Sequence, residues 1–160
     1  MTAVSGTLSS RPAAEAYLAR VCFKVGPPTL IGAELEWFTR TPSGARPTLD
    51  SLAEALGAHT PQSLRPESPA LALRSGSVVS VEPGGQIELS SSPATSLASV
   101  VEALRDDEQT LTRLLDSHGI SLAGGGADTL RPPDRLLTLP RYCAMEQRFE
   151  QYGPYGKLMM

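Results

Sequence analysis

Residues 77–93 read SVVSVEPGGQIELSSSP, two runs of alternating side chains at 77–82 and 86–91 on either side of Pro83-Gly84-Gly85. Proline removes a ladder donor and glycine admits positive φ, so the stretch predicts a β-hairpin with a tight reversal. In its second run Gln86, Glu88 and Ser90 share one face, while Ile87 and Leu89 point to the other. A similar run precedes it at residues 31–38, IGAELEWF. There Glu34 and Glu36 stand two apart, so a strand places them side by side, roughly 6 to 7 Å from one another. Strands with one apolar and one carboxylate-bearing face predict an antiparallel sheet wetted on one side, within an α+β fold.

The helical signals lie around these strands. Pro12 in a first turn and the apolar positions Ala13, Ala14, Tyr17, Leu18 and Val21 predict a helix over 12–24. Strand character runs from 30 to 38. Thr48 caps a short helix whose face is Leu49, Leu52, Ala53 and Leu56, stopped by Gly57. Residues 58–70, with three prolines, read as a surface loop. Leu97, Val100, Val101, Leu104, Leu111, Leu114 and Leu115 keep helical spacing over 95–118, and Gly119 closes that helix. A short strand at 120–122, the Gly124-Gly125-Gly126 loop and a last helix near 141–151 complete the reading.

With 160 residues, 41% of them hydrophobic, the chain suffices for one domain with a core. A net charge of -3 argues against a general nucleic-acid or anionic-membrane binder, which needs an excess of Lys and Arg on one surface. No run approaches the ~20 apolar residues of a membrane span, and no secretory signal pattern opens the chain. Cys22 and Cys143 lack metal or disulfide-framework spacing and read as thiols of a reducing compartment. The expectation is a cytoplasmic protein.

If the strands join one sheet, Glu34, Glu36 and Glu88 converge, and unpaired carboxylates so placed repel. A divalent cation resolves that conflict, and hard oxygen ligands suit Mg²⁺, which commonly bridges a nucleotide to a protein. The plainer alternative is that the glutamates merely face water. Other candidates carry less. The Gly124–Gly126 loop lacks a following GK[ST] and reads as a turn with no ligand role. His59 and His118 stand without companions at ligand spacing, Ser90-Ser91-Ser92 has no partnered base, and Asp106-Asp107-Glu108 reads as a solvated helix face.

Three blocks, IGAELEWF, VEPGGQIELSSSP and PRYCAMEQRFEQYGPYGKLMM, resemble in that order the glutamate-cysteine ligases of plant and actinobacterial type. The N-terminal region and PTLDSLAEAL look closest to the actinobacterial branch serving ergothioneine biosynthesis. The resemblance implies a glutamine-synthetase-like fold, a curved antiparallel sheet with flanking helices forming an open barrel around metal, ATP and glutamate. It also implies joining of L-glutamate to L-cysteine at the expense of ATP, with Mg²⁺ as cofactor and ATP as co-substrate. Glu34 and Glu36 match the family's paired metal-binding glutamates, and Glu88 that of its next block. Arg141 and Tyr142 match its RY pair. Arg141, whose fork of donors suits a carboxylate, Tyr142 and Gln86 are the expected substrate-binding residues; a surface salt bridge for Arg141 and plain solvent contact for Gln86 are the alternatives. Met159 and Met160 read as core packing.

Family members run to more than twice this length and the match stops after Lys157-Leu158-Met159-Met160, so residues 1–160 are expected to be the N-terminal part of a single catalytic domain, inactive alone. Two rivals stand beside this reading. One is another carboxylate–amine ligase of the same superfamily. The other is a noncatalytic fragment that binds a partner or metal through an exposed sheet edge and apolar C-terminus.

Overall fold

Antiparallel pairing joins the hairpin to the strand that carries the two glutamates. The structure, a computed structural model, describes residues 9–22 and 29–159. Strand β1 spans Glu34–Arg40, β2 Val78–Val81, β3 Ile87–Ser90 and β4 Ser121–Ala123, in the sheet order β2-β3-β1-β4. The register sets Glu36 opposite Glu88, Glu34 opposite Ser90 and Ser80 opposite Glu88. β4 pairs with the far end of β1, Phe38 facing Ala123 and Arg40 facing Ser121. This is an α+β chain with one four-stranded antiparallel sheet and four α-helices among the described residues.

The hairpin closes as its composition requires. The Gly85 N–H donates to Glu82 O and the Glu82 N–H to Gln86 O, both at 2.8 Å, with Gly85 at φ +87°. A Cβ on Gly85 would lie 2.7 Å from Leu136 Cδ1, the end of a side chain that can turn aside, so it is the positive φ that demands glycine. The neighbouring segment is bound to this turn: the Leu136 and Leu137 N–H groups both donate to Pro83 O, at 2.7 and 3.2 Å.

One face of the sheet is core. Val79, Val81, Ile87 and Leu89 are buried there, with Leu35 and Trp37 packed against them. Helices α2 (Leu49–Leu56) and α3 (Leu97–Asp116) supply Leu52, Leu56, Val100, Leu104, Leu111 and Leu115 to the same cluster. Both helices start at hydroxyl caps, Thr48 accepting from the Ser51 N–H and Ser96 from the Ser99 N–H, each at 3.1 Å. Helix α1 spans Arg11–Cys22 and α4 Pro140–Glu150, followed by a 3-10 segment at Gly153–Met159. Tyr142 on α4 is 4% exposed and joins the core.

The structure corrects two details. Leu30–Ala33 is not regular strand: Ile31 makes a single bridge to Ala94, and β1 begins at Glu34. Asp107 is no solvated residue but fully buried, its two oxygens accepting the N–H groups of Ser75 at 2.8 Å and Ser77 at 2.9 Å. The predicted helix end at 23–24 and Met160 lie outside the described residues. Among the described residues, no helix is long and apolar enough to cross a membrane.

Candidate functional site

The polar face of the sheet gathers four carboxylates. Alternation in β1 turns Glu34 and Glu36 away from the core, and β3 turns Glu88 the same way. Serines link them: the Ser80 and Ser90 hydroxyls each donate to Glu88 Oε1, at 3.0 and 2.9 Å, and Ser90 Oγ stands 3.4 Å from Glu34 Oε1. The fourth carboxylate is Glu82, just beyond β2. Burial pushes its carboxyl up, and the charges of Glu88, Glu36 and Glu34 push in the same direction, while Arg141 opposes them.

A carboxyl with a raised folded value favours folding fully only below its unfolded value, and that contribution is lost as pH rises through the folded value. Above its unfolded value the Glu82 carboxyl is therefore a cost that an uncharged side chain removes. Glu82→Gln is expected to raise the melting temperature of the metal-free chain at neutral pH. A lowered one would show that Glu82 has a stabilising partner instead.

Arg141 and Tyr142 sit at the start of α4. Arg141 is exposed, its guanidinium 4.3 Å from the centre of the Tyr142 ring and hydrogen-bonded to the Tyr142 hydroxyl. The buried tyrosine thus holds the arginine toward Glu82. Among the described residues Arg141 forms no surface salt bridge; on α4 it is Glu146 that pairs, with Arg135 at 2.7 Å.

Beside the carboxylate face lies a cavity of about 450 Å³. Glu36 and Phe38 of β1 form one wall with Gln86, and Gly125, Gly126 and Arg131 of the loop after β4 form another. Half-buried Gln86 leaves its Oε1 buried without a hydrogen-bond partner. The loop is anchored by Asp128, whose side chain is 7% exposed. Burial alone would raise its carboxyl, but the Leu130 N–H, the Arg131 guanidinium and the Arg131 N–H outweigh that and hold it below the ordinary range. Arg131 also donates through Nη1 to Thr39 O at 2.8 Å, and Arg46 donates through Nη2 to Pro132 O at 2.7 Å.

The structure therefore brings Glu34, Glu36 and Glu88 onto one face and puts Gln86 next to them, with Arg141 and Tyr142 at the hairpin end. Among the described residues no three carboxylates stand close enough together to hold an ion as placed. Sequence reasoning missed Glu82, although strand alternation past Ser80 points to it. It also missed the lining role of Gly125 and Gly126, for which no local signal exists. Among the described residues, the hydrogen bonds of His59 and His118 go to backbone carbonyls and to the neighbouring Ser117 hydroxyl.

Residues 30–160 match the profile of glutamate-cysteine ligase family 2. The chain is 36% identical over 157 residues to glutamate-cysteine ligase EgtA of Mycobacterium tuberculosis (strain H37Rv), covering 96% of this chain and 34% of that protein. It is 31% identical over 153 residues to EgtA of Mycolicibacterium smegmatis, covering 94% of this chain and again 34% of the relative. It spans about a third of the length of the relatives it matches. On the match across residues 30–160, the chain belongs to glutamate-cysteine ligase family 2.

Proposed function

We propose that the chain is the N-terminal part of the catalytic domain of a ligase that joins the γ-carboxyl of L-glutamate to the amine of L-cysteine, driven by ATP and serving ergothioneine or a related thiol. In this reading its sheet is part of a glutamine-synthetase-like barrel. The observation that carries it is the pairing of Glu36 with Glu88 on a face that also bears Glu34 and Glu82, within a chain of this family.

The donor set fits Mg²⁺ in chemistry: four hard carboxylates, of which Glu34 and Glu88 accept from serine hydroxyls and Glu82 feels the charge of Arg141. Glu34, Glu36, Glu82 and Glu88 are the residues that would hold the metal. When bound, Mg²⁺ neutralises ATP phosphates and the charge that develops on the transferring phosphoryl group. The remaining work of the chain is positioning. Arg141, held by Tyr142, offers a fork of donors to a carboxylate of glutamate. The substrate γ-carboxylate, and no side chain of the protein, takes the phosphoryl group, and the incoming amine displaces phosphate.

The test is formation of γ-glutamylcysteine by the complete enzyme that carries this chain, with and without ATP and Mg²⁺. Product only when glutamate, cysteine, ATP and Mg²⁺ are all present is expected. Phosphate release with a different amine, and none with cysteine, would move the protein to another carboxylate–amine ligase.

A further inference from the structure

The ladder between β1 and β3 ends where the site begins. Its last paired residues are Trp37 and Ile87, and beyond them β1 pairs on with β4, Phe38 facing Ala123 and Thr39 facing Leu122. The turn between β2 and β3 therefore projects past its pairing with the central strand. Yet Glu82 stands at its near end, and Gly84 and Gln86 form part of the cavity wall. A turn held by its own hairpin alone opens easily, and the side chains on it move with it.

Thr39 ties this turn to β1. Alternation aims it away from Glu36 and toward the core, where it is 2% exposed on the side that Leu35 and Trp37 occupy with apolar groups. Its Oγ1 donates to Gly85 O at 3.1 Å. The register carried on from Trp37 and Ile87 sets Thr39 opposite Gly85, so a side chain makes the link where the paired backbone has stopped.

Thr39 is itself held from the loop after β4. Arg131 Nη1 donates to Thr39 O at 2.8 Å, and Asp128 Oδ2 fixes that guanidinium while its Oδ1 accepts the Leu130 and Arg131 N–H groups. The same loop grips the turn directly through the Leu136 and Leu137 N–H groups on Pro83 O. Loop, central strand and turn are thus linked pairwise.

We propose that Thr39 is a positioning residue of the site: its hydroxyl ties the Pro83–Gly85 turn to β1 and so sets where Glu82 and Gln86 stand relative to Glu36. Thr39 is not among the residues that line the cavity, so it acts through the turn. The consequence for turnover rests on the ligase reading; the tie does not.

The test is hydrogen exchange read by mass spectrometry on the complete enzyme that carries this chain, following the peptide that holds residues 82–86 beside one that holds Ser75 and Ser77, whose N–H groups Asp107 secures. In Thr39→Val, which keeps the shape and removes the hydroxyl, exchange over 82–86 is expected to quicken about tenfold or more while the Ser75 and Ser77 peptide is unchanged. Thr39→Ser keeps the hydroxyl and is expected to restore most of the protection. Asp128→Asn weakens the hold on Arg131 without altering Thr39; it is expected to move the same peptide in the same direction by a smaller factor, and carries the test should Thr39→Val not fold. Unchanged exchange over 82–86 would overturn the tie. So would equal acceleration in both peptides, because a loss of overall stability moves every segment alike. In the same variants kcat is expected to fall about tenfold with Thr39→Val and to recover with Thr39→Ser. Local loosening with an undiminished kcat would overturn the positioning role and leave the ligase reading standing. Local loosening in a protein that makes no γ-glutamylcysteine supports the tie and removes the ligase reading.

Discussion

Glu36→Gln in the complete enzyme is expected to lower kcat by on the order of a hundredfold or more, with the fold intact. The side chain keeps its volume and an acceptor oxygen, but loses the charge that a divalent cation requires of a hard ligand. Glu36 is the most telling position because it lies opposite Glu88 in the register and also borders the cavity beside the carboxylate face. The measurement is turnover at saturating glutamate, cysteine, ATP and Mg²⁺, with circular dichroism to establish folding. Turnover close to that of the unmodified protein would remove Glu36 from the metal site. Loss that excess Mg²⁺ partly restores would place the defect in metal affinity.

Asp107→Ala is expected to cost roughly 2–4 kcal/mol of folding stability. The carboxylate is completely buried and satisfies two backbone N–H groups, those of Ser75 and Ser77, which shape the entry into β2. Truncation leaves both donors without acceptors in the interior and opens a small cavity on α3. Asp107→Asn retains one acceptor oxygen and is expected to fall between the two. Urea denaturation of the three chains measures the differences, and an alanine variant as stable as the parent would show that water enters and satisfies both amides.

Much of this architecture was legible. Pro83-Gly84-Gly85 between alternating runs located the hairpin within a residue or two, and Thr48 and Gly57 mark the ends of α2 where capping chemistry puts them. The shared face of Glu34, Glu36 and Glu88 followed from period two, since pairing of β1 with β3 preserves it. Asp107 was misread although its spacing carried the signal: Leu104, Asp107 and Leu111 lie at i, i+3 and i+7, one buried stripe of α3. Two acidic neighbours drowned that periodicity. Glu82 was passed over although it closes the first run of the hairpin, two residues beyond Ser80 and so on the same face. The Arg46, Asp128 and Arg131 network left no trace in local sequence, because the Arg46 contact to Pro132 joins residues 86 apart. Such groupings are decided by tertiary closure alone.

The placement of β1 in the middle of the sheet bears on the order in which the molecule assembles. The β2–β3 hairpin closes locally, whereas the Ser90–Glu34 contact spans 56 residues and the Ser121–Arg40 contact spans 81. Loop-closure entropy makes those long-range pairings the slow steps of folding. Insertion of β1 between β3 and β4 is also the event that brings Glu34 and Glu36 against Glu82 and Glu88. The long-range closure and the gathering of like charge thus coincide, and folding of this sheet is expected to quicken as dissolved cations screen the four carboxylates.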